Sequence, residues 1–145
     1  MEFGRYAAKG NAFVHEVAKA LGIDGDTERA GRMLCCVLQA LRDRMTPDAS
    51  LRLVSALPEC LKGLYVEGWR FHAAAPRSRR DVDDFVAKVV QLGGARSRAD
   101  FGSLTAARHR VKAVMGVLKR HIDEAERPVN SLMLPHEVVA LWEAA

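Results

Sequence analysis

An all-α fold follows from three features of this 145-residue sequence. Apolar residues recur at helical spacing over runs too long for strands, as at Ala30, Leu34, Val37, Leu38, Leu41 and Met45. No segment alternates apolar and polar residues with a period of two, the mark of a half-buried strand. The helical pattern also occurs twice. Shifting the chain by 77 residues lays 30–45 over 107–122, so that the six positions above meet Ala107, Val111, Val114, Met115, Leu118 and Ile122. Only Met33, which falls on Arg110, breaks the match.

The same shift brings Leu57-Pro58 onto Leu134-Pro135, Leu64 onto Leu141 and Tyr65 onto Trp142, whereas 13–22 overlays 85–94 at a shift of 72. The five-residue difference falls in "ARSRADFGS", where a loop absorbs it at little entropic cost. Two units of about four helices each are therefore expected, repeat one over about 11–69 and repeat two over about 81–143, joined by a linker at 70–80. Halves of this size are marginal alone, which favours a pseudo-two-fold single domain spanning 1–145.

The elements follow in order. Phe13, Val14, Val17, Ala18 and Leu21 share one face of a helix over about 11–21 that Gly22 stops. Asp24 and Asp26 are N-cap candidates for the next, about 27–45. Thr46 then caps a short helix with Pro47 in its first position, where a missing N–H costs nothing. Pro58 ends that helix and opens a fourth, to about Gly68, because proline suits only a helix's first turn. The second set is placed near 81–92, 103–123, 127–133 and 135–143.

Hydrophobic residues at 49% and charged residues at 28% are globular values, and no apolar stretch approaches the length that crosses a bilayer. With no secretory pattern at the start, a cytoplasmic protein without a membrane partner is expected. Cys35, Cys36 and Cys60 are odd in number and lack metal-ligand spacing, which disfavours a structural disulfide. The net charge of +4 is unevenly placed: residues 96–122 hold seven Lys/Arg against one Asp, so the rest of the chain is slightly acidic.

Residues 40–69, "ALRDRMTPDASLRLVSALPECLKGLYVEGW", resemble a bacterial family catalogued as domain of unknown function twenty-two sixty-seven. The resemblance is carried by Ala-Leu-Arg-Asp-Arg at 40–44, Leu57-Pro58, Lys62-Gly63, and Tyr65 leading into Glu67-Gly68-Trp69. The second repeat follows it more loosely, with Lys119-Arg120-His121 in place of Arg-Asp-Arg and no Glu-Gly-Trp ending. The resemblance implies a helical fold and brings no established activity.

Candidate chemistry is sparse. His15, His72, His109, His121 and His136 have no metal-ligand spacing, and no nucleophile elbow, P-loop or dinucleotide fingerprint is present. The run Asp81, Asp83, Asp84 sits where a helix starts and is explained by its dipole. Neither a catalytic residue nor a cofactor or metal site is expected.

Cys36 projects with Arg32, Gln39 and Asp43 away from the main apolar stripe. It is a candidate redox thiol only if exposed and of lowered pKa; otherwise it is a packing residue on a second face. Arg108, Lys112 and Lys119 line one side of a helix, and Arg96 and Arg98 extend them, a pattern able to meet phosphates or an acidic partner. Tyr65 and Trp69 lie one helical turn apart, either as a core satellite or as an aromatic anchor at an interface. The expected function is a non-enzymatic interaction module that binds a protein partner or forms a homo-oligomer, with sequence-nonspecific nucleic-acid binding through 96–122 as the alternative.

Overall fold

A computed structural model describes residues 2–70, 81–124 and 134–145. Its helices run α1 (Phe3–Ala20), α2 (Thr27–Arg44), α3 (Pro47–Ala56), α4 (Glu59–Val66), α5 (Val82–Leu92), α6 (Ser97–Phe101), α7 (Leu104–Glu124) and α8 (His136–Ala144), with a 3₁₀ turn at Gly94–Arg96. No strand occurs among the described residues, so the chain is all-α. The helix expected at 127–133, the linker beyond Arg70 and His72 lie outside those residues.

Helix starts follow local chemistry. Asp26 accepts from the Arg29 N–H at 3.2 Å, Thr46 from Ala49 at 3.2 Å ahead of Pro47, and Asp81 from Asp84 at 2.8 Å. Each such cap satisfies an orphan donor of the first turn and is worth about 1 kcal/mol. Pro58 and Pro135 each precede a helix without a side-chain cap, as a residue with no acceptor must.

Two boundaries depart from expectation. α1 begins at Phe3, eight residues early, because the stripe of Phe13 and Val17 extends back through Gly10 and Tyr6 to Phe3. The segment read as a loop in "ARSRADFGS" contains the single-turn α6. A helix of five residues is too short to show a period, and this one is held from outside. Asp100, buried, takes Arg32 Nε and Nη2 at 3.2 and 3.1 Å, and Arg29 donates to the Asp100 carbonyl at 2.9 Å. Phe101 is fully buried beside it.

The core is one continuous cluster drawn from both halves. The six apolar pairs of the 77-residue register, from Ala30/Ala107 to Met45/Ile122, are all buried, as are Phe13 with Phe85 and Tyr65 with Trp142. α1 packs on α2, α7 and α4, and α5 packs on α7, α2 and α8. Exchanging α1, α2 and α4 for α5, α7 and α8 therefore reproduces the main contacts; α6 has no counterpart in the first half. Met33 is buried, whereas Arg110 at the matching position turns out to donate to the Phe101 carbonyl at 2.5 Å.

Buried polar contacts join the helix ends. The Arg42 guanidinium donates to the Tyr65 carbonyl at 3.1 Å and the Glu67 carbonyl at 2.6 Å, satisfying the C-terminus of α4. Gly68 follows with φ of 67°, a conformation that favours glycine. Arg44 reaches the other way, to Glu137 Oε1 on α8 at 3.3 Å and the Asp84 carbonyl on α5 at 3.4 Å. The two arginines of Ala-Leu-Arg-Asp-Arg thus tie α2 to α4 on one side and to α5 and α8 on the other.

Candidate functional site

The basic stripe is only partly available to a ligand. Arg108 is exposed but ion-paired with Asp83 of α5, which also gives that aspartate a role beyond the helix dipole. Lys112 and Lys119 are half-buried on α7, while Arg96 stands exposed on the 3₁₀ turn and Arg98 exposed in α6. One of the five cations is thus already matched.

Tyr65 is fully buried, and its phenol shares a 2.8 Å hydrogen bond with Ser50 and lies 3.8 Å from the Met45 sulfur. Its placement fits the core satellite and leaves no side-chain surface for an interface anchor. Burial pushes its pKa up to about 12, more than the Ser50 bond and the Arg42 charge lower it. Trp69 is half-buried and meets the Tyr65 ring edge-on at 6.2 Å. Trp69 is therefore the member of the pair with surface to offer.

Cys36 is 7% exposed, and burial pushes its thiol up to about 11, with smaller contributions from Cys35 and Asp100 that outweigh Arg32. The surroundings are the reverse of what a redox-sensing thiol requires. The cause is the turn into α6: a Cβ at Gly93 would lie 3.2 Å from the Cys36 sulfur and 2.7 Å from the Ser97 Cβ, so this face of α2 is closed over. Arg32, one helical turn before Cys36, is spent on Asp100.

One opening was not foreseen from sequence. A cleft of about 520 Å³ lies where α1 passes the Leu57-Pro58 turn, with Phe13, Ala56 and Leu57 giving it an apolar floor. Lys9 and Lys62 stand at its rim with Glu16 and Glu59. His121 comes in from α7, its Nε2 2.8 Å from Glu16 Oε2 and its ring 4.7 Å from that of Phe13. Sequence reasoning rejected a metal role for His121 and noted its place opposite Arg-Asp-Arg but gave it no site; the usable signal was its register with Arg44. Among the described residues no three His, Cys, Asp or Glu side chains are grouped to hold a metal, and no helix is long and apolar enough to cross a membrane.

An all-helical bundle, with arginines of the Arg-Asp-Arg segment tying α2 to neighbouring helices, defines the class of protein. The family model described as "uncharacterized conserved protein (DUF2267)" matches residues 10–141, and the chain belongs to that family. No curated protein matches the chain.

Proposed function

We propose that the protein is a non-enzymatic helical interaction module, its halves related by a pseudo-two-fold axis, that associates with a second copy of itself through the first two turns of α1. The observation that carries this reading is the uncovered apolar stripe there. Phe3, 74% exposed, and Tyr6, 38% exposed, continue the face that Phe13 and Val17 bury. Removing one such aromatic from water contributes about 1.5–3 kcal/mol, and an isologous pair of arms doubles the gain. The exchange of like contacts between the halves supports the axis, and the displaced pKa values of Cys36 and Tyr65, raised by burial rather than tuned toward neutrality, support a packing rather than a catalytic role.

The test is the oligomeric state against concentration. Sedimentation equilibrium should show a dimer that Phe3→Asp with Tyr6→Asp converts to monomer with helicity intact. A wild-type chain that stays monomeric at high micromolar concentration refutes the proposal. The pairing of Arg108 with Asp83 weakens the nucleic-acid reading. Polyanion binding with a steep salt dependence, lost in Arg108→Glu with Lys112→Glu, would restore it.

A further inference from the structure

We propose that the cleft at the Leu57-Pro58 turn receives the α1 arm of a second copy, so that two chains exchange arms about a two-fold axis. This deepens the self-association through α1 and rests on it. Arm and cleft share one helix. Every residue from Glu2 to Lys9 is exposed, whereas Phe13 and Val17 further along are buried, so the first two turns of α1 reach out from the body. The cleft begins where the arm ends: its α1 wall runs from Lys9 to Glu16, and the arm from Phe3 to Lys9. At 1.5 Å per residue each span is about 10 Å. Two copies laid with their α1 helices antiparallel therefore bring each arm beside the other's cleft, and one two-fold operation satisfies both contacts. The same contact made head to tail would leave an arm and a cleft unfilled at the ends of an open chain.

Shape and charge identify the occupant. The opening of about 520 Å³, floored by Phe13, Ala56 and Leu57, is in the range of sites that enclose a small molecule and admits a pair of aromatic side chains. Phe3 and Tyr6, three residues apart on one face, are such a pair. The other large exposed hydrophobics among the described residues, Leu51, Val66 and Leu104, each stand alone on a different helix. The rim carries Lys9 and Lys62 against Glu16 and Glu59, so a ligand of a single sign gains nothing there on balance. Glu2-Phe3-Gly4-Arg5-Tyr6 sets one acid and one base beside the aromatics and answers both signs. Glu16 is engaged by His121 at 2.8 Å. Glu59, which has no ion pair among the described residues, is left for Arg5 of the second copy, and Lys9 and Lys62, equally unpaired, for its Glu2.

The experiment uses the full chain. Sedimentation equilibrium measures the dimer, and an isotope-filtered NOESY spectrum of mixed ¹³C-labelled and unlabelled chains, which admits only contacts between copies, reads its geometry. Cross-peaks should join the Phe3 ring of one copy to the Leu57 methyls of the other. Ala12→Arg, which fills the cleft from an exposed position on its wall, should raise the dimer dissociation constant by about tenfold or more with helicity unchanged. Lys19→Ala, exposed on α1 beyond the cleft, should leave it within about twofold. Arg5→Glu should weaken the dimer about fivefold, the scale of an exposed charge contact, and Glu59→Lys in the same chain should recover it. A dimer that Phe3→Asp with Tyr6→Asp dissolves, but that lacks the Phe3–Leu57 cross-peaks or is unaffected by Ala12→Arg, overturns the cleft as receptor and leaves association through the arm standing. So does an Arg5→Glu loss that Glu59→Lys fails to recover. Masses that climb past the dimer with concentration overturn the two-fold exchange. A wild-type chain that stays monomeric at high micromolar concentration overturns the proposal together with the self-association it rests on.

Discussion

The sharpest perturbation of this fold is Arg44→Met. Arg44 and Glu137 are almost wholly buried, and Glu137 Oε2 has no hydrogen-bond partner, so its carboxylate depends on the guanidinium 3.3 Å from its other oxygen. Methionine fills much of the volume but leaves that charge stranded, and stranding one member of a buried pair costs about 3–5 kcal/mol. For a chain of this size the midpoint of thermal unfolding should fall by roughly 10 °C, at about 2–4 °C per kcal/mol. Adding Glu137→Leu removes the stranded charge, and an apolar replacement of both partners should return stability to within about 2 kcal/mol of wild type. Urea unfolding followed by helical circular dichroism on the two single variants and the double variant measures the coupling, expected to be at least about 2 kcal/mol. Strictly additive losses, or an Arg44→Met variant within about 1 kcal/mol of wild type, would refute the claim that this ion pair joins α2 to α8.

Two further outcomes follow from the buried hydroxyl and thiol groups. Because Tyr65 keeps its proton in the fold to about pH 12 against an ordinary value of 10.0, stability is intact below pH 10 and falls as pH rises toward 12. The unfolded chain there binds fewer protons, and the loss reaches about 2–3 kcal/mol. Urea midpoints at pH 9 to 12 should show this slope, and Tyr65→Phe should flatten it; Cys36 adds a loss of the same sign from pH 9 toward about 11. Asp100→Asn breaks the charged clamp of Arg29 and Arg32 on α6. Amide exchange over 97–101 and alkylation of Cys36 should both accelerate, on the order of tenfold, through local opening. Unchanged alkylation would mean that α6 is not what covers the thiol.

Much of the architecture is legible without coordinates because it is local. A stripe at helical spacing names the buried face of α2 and α7, Thr46-Pro47 and Asp81 mark helix starts, and Leu57-Pro58 a restart, all through interactions spanning three or four residues. The repeat register adds the pairing of Tyr65 with Trp142 as equivalent core positions. The early start of α1 was hidden because Gly4 and Gly10 dilute its pattern, though Phe3 and Tyr6 carry the same face.

What the sequence alone decided is which residues turn inward, since hydrophobic periodicity is a property of the chain. Which polar groups meet was decided only by tertiary structure. Arg108 was open to phosphate or an acidic partner until α5 brought Asp83 to it, and Cys36 was open as a redox thiol or a packing residue until α6, one turn long and held by Asp100, closed over it. His121 and Arg44 meet in the 77-residue sequence register, yet one sits beside a cleft and the other in a filled ion-pair site. The difference arises from partners on other helices, far away in sequence, and charge interactions depend on distances that spacing along a chain does not set.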